Sequence, residues 1–144
     1  MKHDRKQEAF DLVEQAASRL PDSAELLLDK VIVLQRMSRS AEADQLLRQL
    51  QSKWPEWDRV YFVRALLLAT RSKLSEAEQA GRLAISLGAD AVEVFAGLAR
   101  ATESSSPEES SKYRTEATKL LASRAGPPEK PSRIVEALFP PKRR

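Results

Sequence analysis

Residues that could act in catalysis or metal binding are few and widely separated in this chain. Cysteine is absent and His3 is the single histidine, which excludes thiolate chemistry and a zinc site of His and Cys ligands. A Ser–His–Asp arrangement would have to use His3, which lies outside the repeated segments described below. Carboxylate pairs such as Asp4/Glu8 and Asp11/Glu14 stand at helical spacing, as ordinary surface charges also do. We therefore predict no enzyme activity, no metal and no cofactor.

Two further signals for ligand binding are equally weak. The glycines are isolated from one another, so no Gly-rich loop is available to hold a phosphate group. Trp54 and Trp57 flank Pro55-Glu56, where they could stack on a ligand or wedge between two structural repeats. The sequence favours the wedge, because the two indoles fall at a repeat junction.

The charge distribution argues against nucleic acid as a partner. The net charge is +3 at pH 7, and residues 126–144 carry all of it. The rest of the chain is balanced, whereas binding to a phosphate backbone normally requires clustered cations. Residues 1–11 have no apolar run typical of a signal peptide, and no stretch is long and apolar enough to cross a membrane. We expect a cytoplasmic protein with no membrane span.

The elements that must position any site repeat along the chain. Three segments align without gaps at a spacing of 34 residues, beginning at Glu8-Ala9, Glu42-Ala43 and Glu76-Ala77. Their apolar columns recur at i, i+3, i+4 and i+7, which is one face of a helix. The stretches between them, LLLDKVIVL and VYFVRALLLA, also align and are apolar on most sides, so they predict helices covered by neighbours. Tyr61 and Phe95 share one of these columns and are expected in the core.

This pattern resembles the tetratricopeptide repeat family over roughly residues 7–125. The positions typical of that family are filled in two successive units by Leu27, Val31, Leu34, Ala43, Leu47, Leu50 and Pro55, and by Tyr61, Ala65, Leu68, Ala77, Gly81, Ala84 and Ala89. Val31 is larger, and Gly81 smaller, than the family residue at each position. The resemblance implies an all-α fold, a right-handed superhelix of antiparallel helix pairs with a C-terminal capping helix. The alternative is a generic helical bundle.

The repeat defines the expected domains. Residues 1–125 form the array, with the second helix of a partial repeat at 5–21 and repeats at about 24–57, 58–91 and 92–125; residues 126–144 form a separate tail. The partial repeat lacks its first helix, so either its remaining helix is a cap or the chain was cut from a longer protein. We favour the second alternative and expect the parent protein to continue N-terminally with another repeat. Within the array, the helix breaks coincide with Pro21, Pro55, Gly88 and a set of serines. The serines expected in turns are Ser38, Ser40, Ser72 and Ser75. The expected helix caps are Asp22-Ser23, Asp58, Ser75 and Asp90.

The resemblance also implies a ligand groove on the concave face, lined by the first helix of each pair. The residues that map to this groove are Leu28, Ile32, Gln35, Arg59, Phe62, Leu66 and Arg100. One subgroup of the family uses Lys and Asn at such places to bind a C-terminal carboxylate, and the apolar residues here argue against that function. An apolar groove suits a hydrophobic or helical ligand. The alternative is that these side chains belong to the core.

The tail combines a Pro-rich linker with a short amphipathic segment containing Ile134, Val135, Leu138 and Phe139, followed by a basic end. Ser132 is expected to cap this segment. It either caps the last repeat or is a detachable helix that docks in the groove or in a partner.

Taken together, these features predict a non-catalytic scaffold that binds a protein or peptide. The alternatives are a structural segment of a larger multi-repeat protein, or a regulatory domain of an enzyme or transcription factor.

Overall fold

The structure, a computed structural model, describes residues 2–124 and 133–140, with side chains from residue 5 onward within those ranges. Every regular element in the described ranges is an α-helix, which confirms the predicted all-α class. Neighbouring helices pack in pairs. The helices are, in chain order, α1 (Lys2–Arg19), α2 (Ala24–Arg36), α3 (Ser40–Lys53), α4 (Asp58–Thr70), α5 (Leu74–Ser86), α6 (Ala91–Thr102), α7 (Pro107–Ala122) and α8 (Arg133–Leu138).

The helices divide into two compact units, the first of which ends at Glu56. In this first unit α2 contacts both α1 and α3, and it contributes the fully buried Val31 to the core. Lys30 Nζ donates to Glu14 Oε1 at 2.9 Å, which ties α2 to α1.

The Arg39 guanidinium lies 4.8 Å from the centre of the Phe10 ring. It also pairs with Glu42 at 2.6 Å, and this hydrogen bond lowers the pKa of Glu42 and raises that of Arg39.

The second unit, from Trp57 onward, is organised around α4. This helix pairs with α5, α6 pairs with α7, and both α4 and α5 contact α6. Nine residues of α4 are buried, in agreement with a sequence that is apolar on most sides. Tyr61 and Phe95 are each 7% exposed, which confirms both as core residues. The rings of Phe95 and Tyr113 stack with centroids 6.3 Å apart, joining α6 to α7.

The turns inside the helix pairs repeat in backbone conformation as well as in sequence. Ser38 has φ 62° and Ser72, at the equivalent position 34 residues later, has φ 61°. Both follow the same hydrogen-bond scheme: the N–H of the next residue reaches back to Leu34 O at 2.9 Å in one turn and to Leu68 O at 3.0 Å in the other. This is the Schellman arrangement, which satisfies carbonyl groups at the end of a helix. Gly88, with φ 116°, ends α5 in a related way.

The predicted helix caps are confirmed at two positions and wrong at two others. Ser23 caps α2 by accepting from Leu26 N at 3.4 Å, and Asp90 caps α6. Asp58 is instead the first residue of α4, where it follows the cap residue Trp57 and places a negative charge in the first turn. Ser75 lies inside α5, because the left-handed turn at Ser72 lets that helix begin at Leu74. Ser40 is likewise the first residue of α3, so the prediction that Ser40 and Ser75 lie in turns is wrong. Ser132 is outside the described residues.

Gly81 is smaller than the residue that the repeat pattern expects at this position, and the packing of α5 against α6 explains why. A Cβ atom at this position of α5 would lie 3.0 Å from Val94 Cγ1 and 3.5 Å from Leu98 Cδ1, both on α6. The large residue that the repeat pattern expects would therefore overlap α6. Here Val94, which is 1% exposed, fills the space that a larger residue at position 81 would take.

Candidate functional site

The predicted groove residues of the first unit are side chains of α2. Leu28 and Ile32 are buried, with 3% and 5% of their surface exposed, and Gln35 is half-buried. At Leu28 and Ile32 this stretch of α2 offers little accessible apolar surface to a ligand.

The predicted groove residues of the second unit lie on α4 and α6. Phe62 and Leu66 are buried on successive turns of α4, Arg59 is exposed one turn earlier, and Arg100 is half-buried on α6. Phe62 and Leu66 meet α6 at Gly97, a residue that the repeat comparison does not single out. These three residues form a small apolar recess, here called the Gly97 notch.

The shape of the Gly97 notch depends on the missing side chain of Gly97. A Cβ atom at this position would lie 2.9 Å from Leu66 Cδ2, 3.2 Å from Phe62 Cε1 and 3.0 Å from Val135 Cγ2. Contacts below 3.0 Å are not tolerated without movement, and the other two are tighter than ordinary van der Waals contact. Any larger residue at position 97 would therefore displace a neighbour from α4 or α8.

The fourth residue at this point, Val135, comes from α8. Val135 is 4% exposed and its neighbour Ile134 is 8% exposed, whereas Glu136 points to solvent. The sequence predicted that this segment either caps the last repeat or docks in the groove or in a partner. In the structure α8 lies beside Phe62, Leu66 and Arg100, three of the residues predicted to line the groove. A helix of six residues is far below the length of about 12–15 residues at which isolated helices become stable in water. The contacts at the notch therefore hold α8 in its helical form.

A second contact fixes how α8 lies along α6. The Arg100 guanidinium is 6.0 Å from the centre of the Phe139 ring, within the range of a cation–π contact. Gly97 and Arg100 are about one turn apart on α6, and Val135 and Phe139 are one turn apart at the end of α8. The contact of Gly97 with Val135 and the contact of Arg100 with Phe139 therefore follow one another in the same order along α6 and α8. Two successive turns of α8 are in contact with this surface.

The chemistry of this site is that of an apolar contact surface. Its walls are hydrocarbon, and Arg100 lies at its edge over Phe139, the residue that follows α8. Among the described residues there is no group of three or more His, Cys, Asp or Glu side chains arranged to hold a metal ion. The side chain of His3 lies outside that description. None of the described helices has the length and apolar character needed to cross a membrane.

The sequence did contain a signal for Gly97 that the repeat analysis missed. Glycine inside a helix costs about 1 kcal/mol relative to alanine, so an interior glycine usually marks a close approach. Gly97 lies in the middle of AVEVFAGLARAT, with no turn residue beside it. An interior glycine at position 97 could have indicated that another helix crosses α6 closely there. It could not have indicated which segment of the chain that helix is.

Trp54 and Trp57 take positions at helix ends. Trp54 follows α3 and is half-buried, with Lys53 Nζ 4.8 Å from the centre of its ring. Trp57 is the half-buried residue before α4. Both are partly covered by protein, which limits the ring surface that a stacked ligand could reach.

Comparisons with protein-family models, with curated proteins and with solved structures find no match for this chain.

Proposed function

We propose that this protein is a non-catalytic scaffold that holds a short apolar helix of another protein at the Gly97 notch. The observation that carries the proposal is the position of Val135, whose side chain fills the space that Gly97 leaves open beside Phe62 and Leu66. This position supports one type of ligand for the surface: a helix with one apolar face. Such a ligand satisfies its own backbone hydrogen bonds, so the surface needs to supply only apolar contact.

The repeat supports the proposal at the level of architecture. The 34-residue spacing, the matching left-handed turns at Ser38 and Ser72 and the pairing of successive helices are those expected of a tetratricopeptide-like array. We propose that the pairs stack into the right-handed superhelix that the resemblance implies. Arrays of this kind act through extended surfaces rather than through reactive groups. Small-angle scattering that fits a closed globular bundle and no curved array would contradict the stacking.

Selection from a displayed library of helical peptides tests the binding function. Peptides selected on the 144-residue chain should bind it, and should lose affinity by about 10-fold or more when Gly97→Val fills the notch. Circular dichroism of the variant should report a loss of helix no greater than the six residues of α8, so that lost binding is not lost folding of the other helices. Lys119→Gln, an exposed change on α7, serves as the control and should bind like the unmodified protein. Failure to select any peptide, or equal binding by both variants, would remove the proposed function.

A further inference from the structure

Helix α8, which lies on the Gly97 notch, has the features of a segment that another helix could displace. The helical part of α8 is six residues long, and two of its side chains, Ile134 and Val135, are buried. Leu138 and Phe139 are only half-buried, and Arg133 and Glu136 are exposed. The sequence that joins α7 to α8, Ala-Gly-Pro-Pro-Glu-Lys-Pro, is rich in proline, a composition typical of semi-rigid spacers.

From these observations we infer that α8 is a built-in competitor for the notch, so that a partner helix binds only when α8 leaves. This inference rests on the proposed function and adds its regulation. An occupant tethered to its own site has a high effective concentration there, so it competes without high intrinsic affinity. The measured affinity for an outside helix is then reduced by the fraction of molecules in which the notch is free.

The contacts of α8 also specify the partner. The position facing Gly97 carries valine, whose Cγ2 lies 3.0 Å from where a Cβ atom of residue 97 would stand. Branching at Cβ restricts this side chain to few rotamers, so a β-branched residue is pre-set to fill the recess. One turn later an aromatic residue lies over Arg100. Apolar residues immediately before each of these, as in Ile134 and Leu138, complete the apolar face. The partner is therefore a short helix of another polypeptide that carries the pattern apolar, Val or Ile, two variable residues, apolar, aromatic.

The experiment measures, by fluorescence anisotropy, the binding of a labelled peptide with the sequence of residues 131–141 to the 144-residue chain. Val135→Asp places a charge on the face of α8 that contacts the notch, and so frees the notch without altering it. Glu136→Gln, on the exposed side of the same helix, is the matched control. We expect the peptide to bind the Val135→Asp protein at least about 10-fold more tightly than either the unmodified protein or the control.

Each other outcome has a definite meaning. Equal binding to all three proteins would overturn the competition while leaving the notch as a binding site. No binding to any of them would instead contradict the proposed function itself. Adding Gly97→Val to the Val135→Asp protein should abolish binding, and binding that survives this change would place the peptide elsewhere and overturn the inference. Sedimentation that detects a dimer of the unmodified protein, lost with Val135→Asp, would show that α8 of a second copy fills the notch, which also overturns it.

Discussion

Asp90 and Arg124 connect the start of α6 to the chain just after α7. The Arg124 guanidinium donates to Asp90 Oδ1, the same oxygen that accepts from Val92 N at 2.8 Å and from Glu93 N at 3.3 Å. Asp90→Ala removes both the helix cap and the ion pair, so we expect it to lower the free energy of unfolding by about 1–3 kcal/mol in urea denaturation.

Asp90→Asn separates the two contributions. Asparagine keeps an oxygen that can cap α6 but removes the charge that attracts Arg124. We therefore expect Asp90→Asn to be clearly less destabilising than Asp90→Ala. Equal losses in the two variants would mean that the ion pair with Arg124, and not the cap, supplies the stability.

The left-handed serine at position 72 predicts a stabilising change. An L-residue with φ near 60° is strained by about 1–2 kcal/mol, which glycine avoids, while glycine adds about 0.4–1 kcal/mol of unfolded-state entropy. Ser72→Gly should therefore raise the free energy of unfolding by up to about 1 kcal/mol, measured by thermal or urea denaturation. The same holds for Ser38→Gly.

Gly88 provides the opposite test of the same reasoning. A Cβ atom at this position would meet no atom within 4 Å, so only the backbone conformation, with φ 116°, resists a side chain. Gly88→Ala should cost about 1 kcal/mol or more although the added methyl group is in open space. A neutral result at Gly88 would show that the turn after α5 adapts, and would weaken the prediction for Ser72.

The hydroxyl of Tyr113 predicts a loss of stability in alkali. It donates to Glu78 Oε1 at 3.4 Å. Burial, together with the negative charges of Glu78 and Glu109, raises the pKa of Tyr113 to about 12. Unfolded tyrosine has a pKa of about 10, so between about pH 10 and 12 the unfolded chain releases this proton first. The contribution of Tyr113 is fully present below pH 10 and declines through that window.

Denaturation at a series of pH values measures this decline, and Tyr113→Phe is the control because it keeps the ring that stacks on Phe95. The unmodified protein should lose more stability than the variant as the pH rises from about 10 to 12. Parallel pH profiles for the two proteins would mean that the Tyr113 proton is released equally easily from both states.

Local sequence signals anticipated much of the fold, because the features concerned depend on neighbouring residues. Pro21 and Pro55 end up between helices, as the lack of an N–H group requires. The turns at Ser38 and Ser72 fell where the repeat indicated them, whereas Ser40 and Ser75, also expected in turns, lie inside helices. The caps at Ser23 and Asp90 followed from residue type. Asp58 and Ser75 were assigned as caps in error, since residue type alone cannot fix which residue of a turn enters the helix first.

The candidate site was less accessible to such reasoning, because it depends on contacts between distant parts of the chain. Phe62, Leu66 and Arg100 were found through the resemblance, which supplied the face of α4 and α6 on which a ligand would lie. Gly97 was not, because the repeat was followed through columns of apolar residues, and an isolated glycine inside a helix stands outside those columns. The contact of Val135 with that column could only come from coordinates.

The burial of most of α4 affects how the protein behaves when it opens partially at high concentrations of other proteins. Any partial opening that frees this helix exposes VYFVRALLLA, a run of apolar and β-branched residues of the kind that nucleates aggregates. Arg64 is the charged residue that interrupts that run. Slow closure of α5 and α6 over α4 during folding would lengthen the time in which this run can meet another unfolded chain.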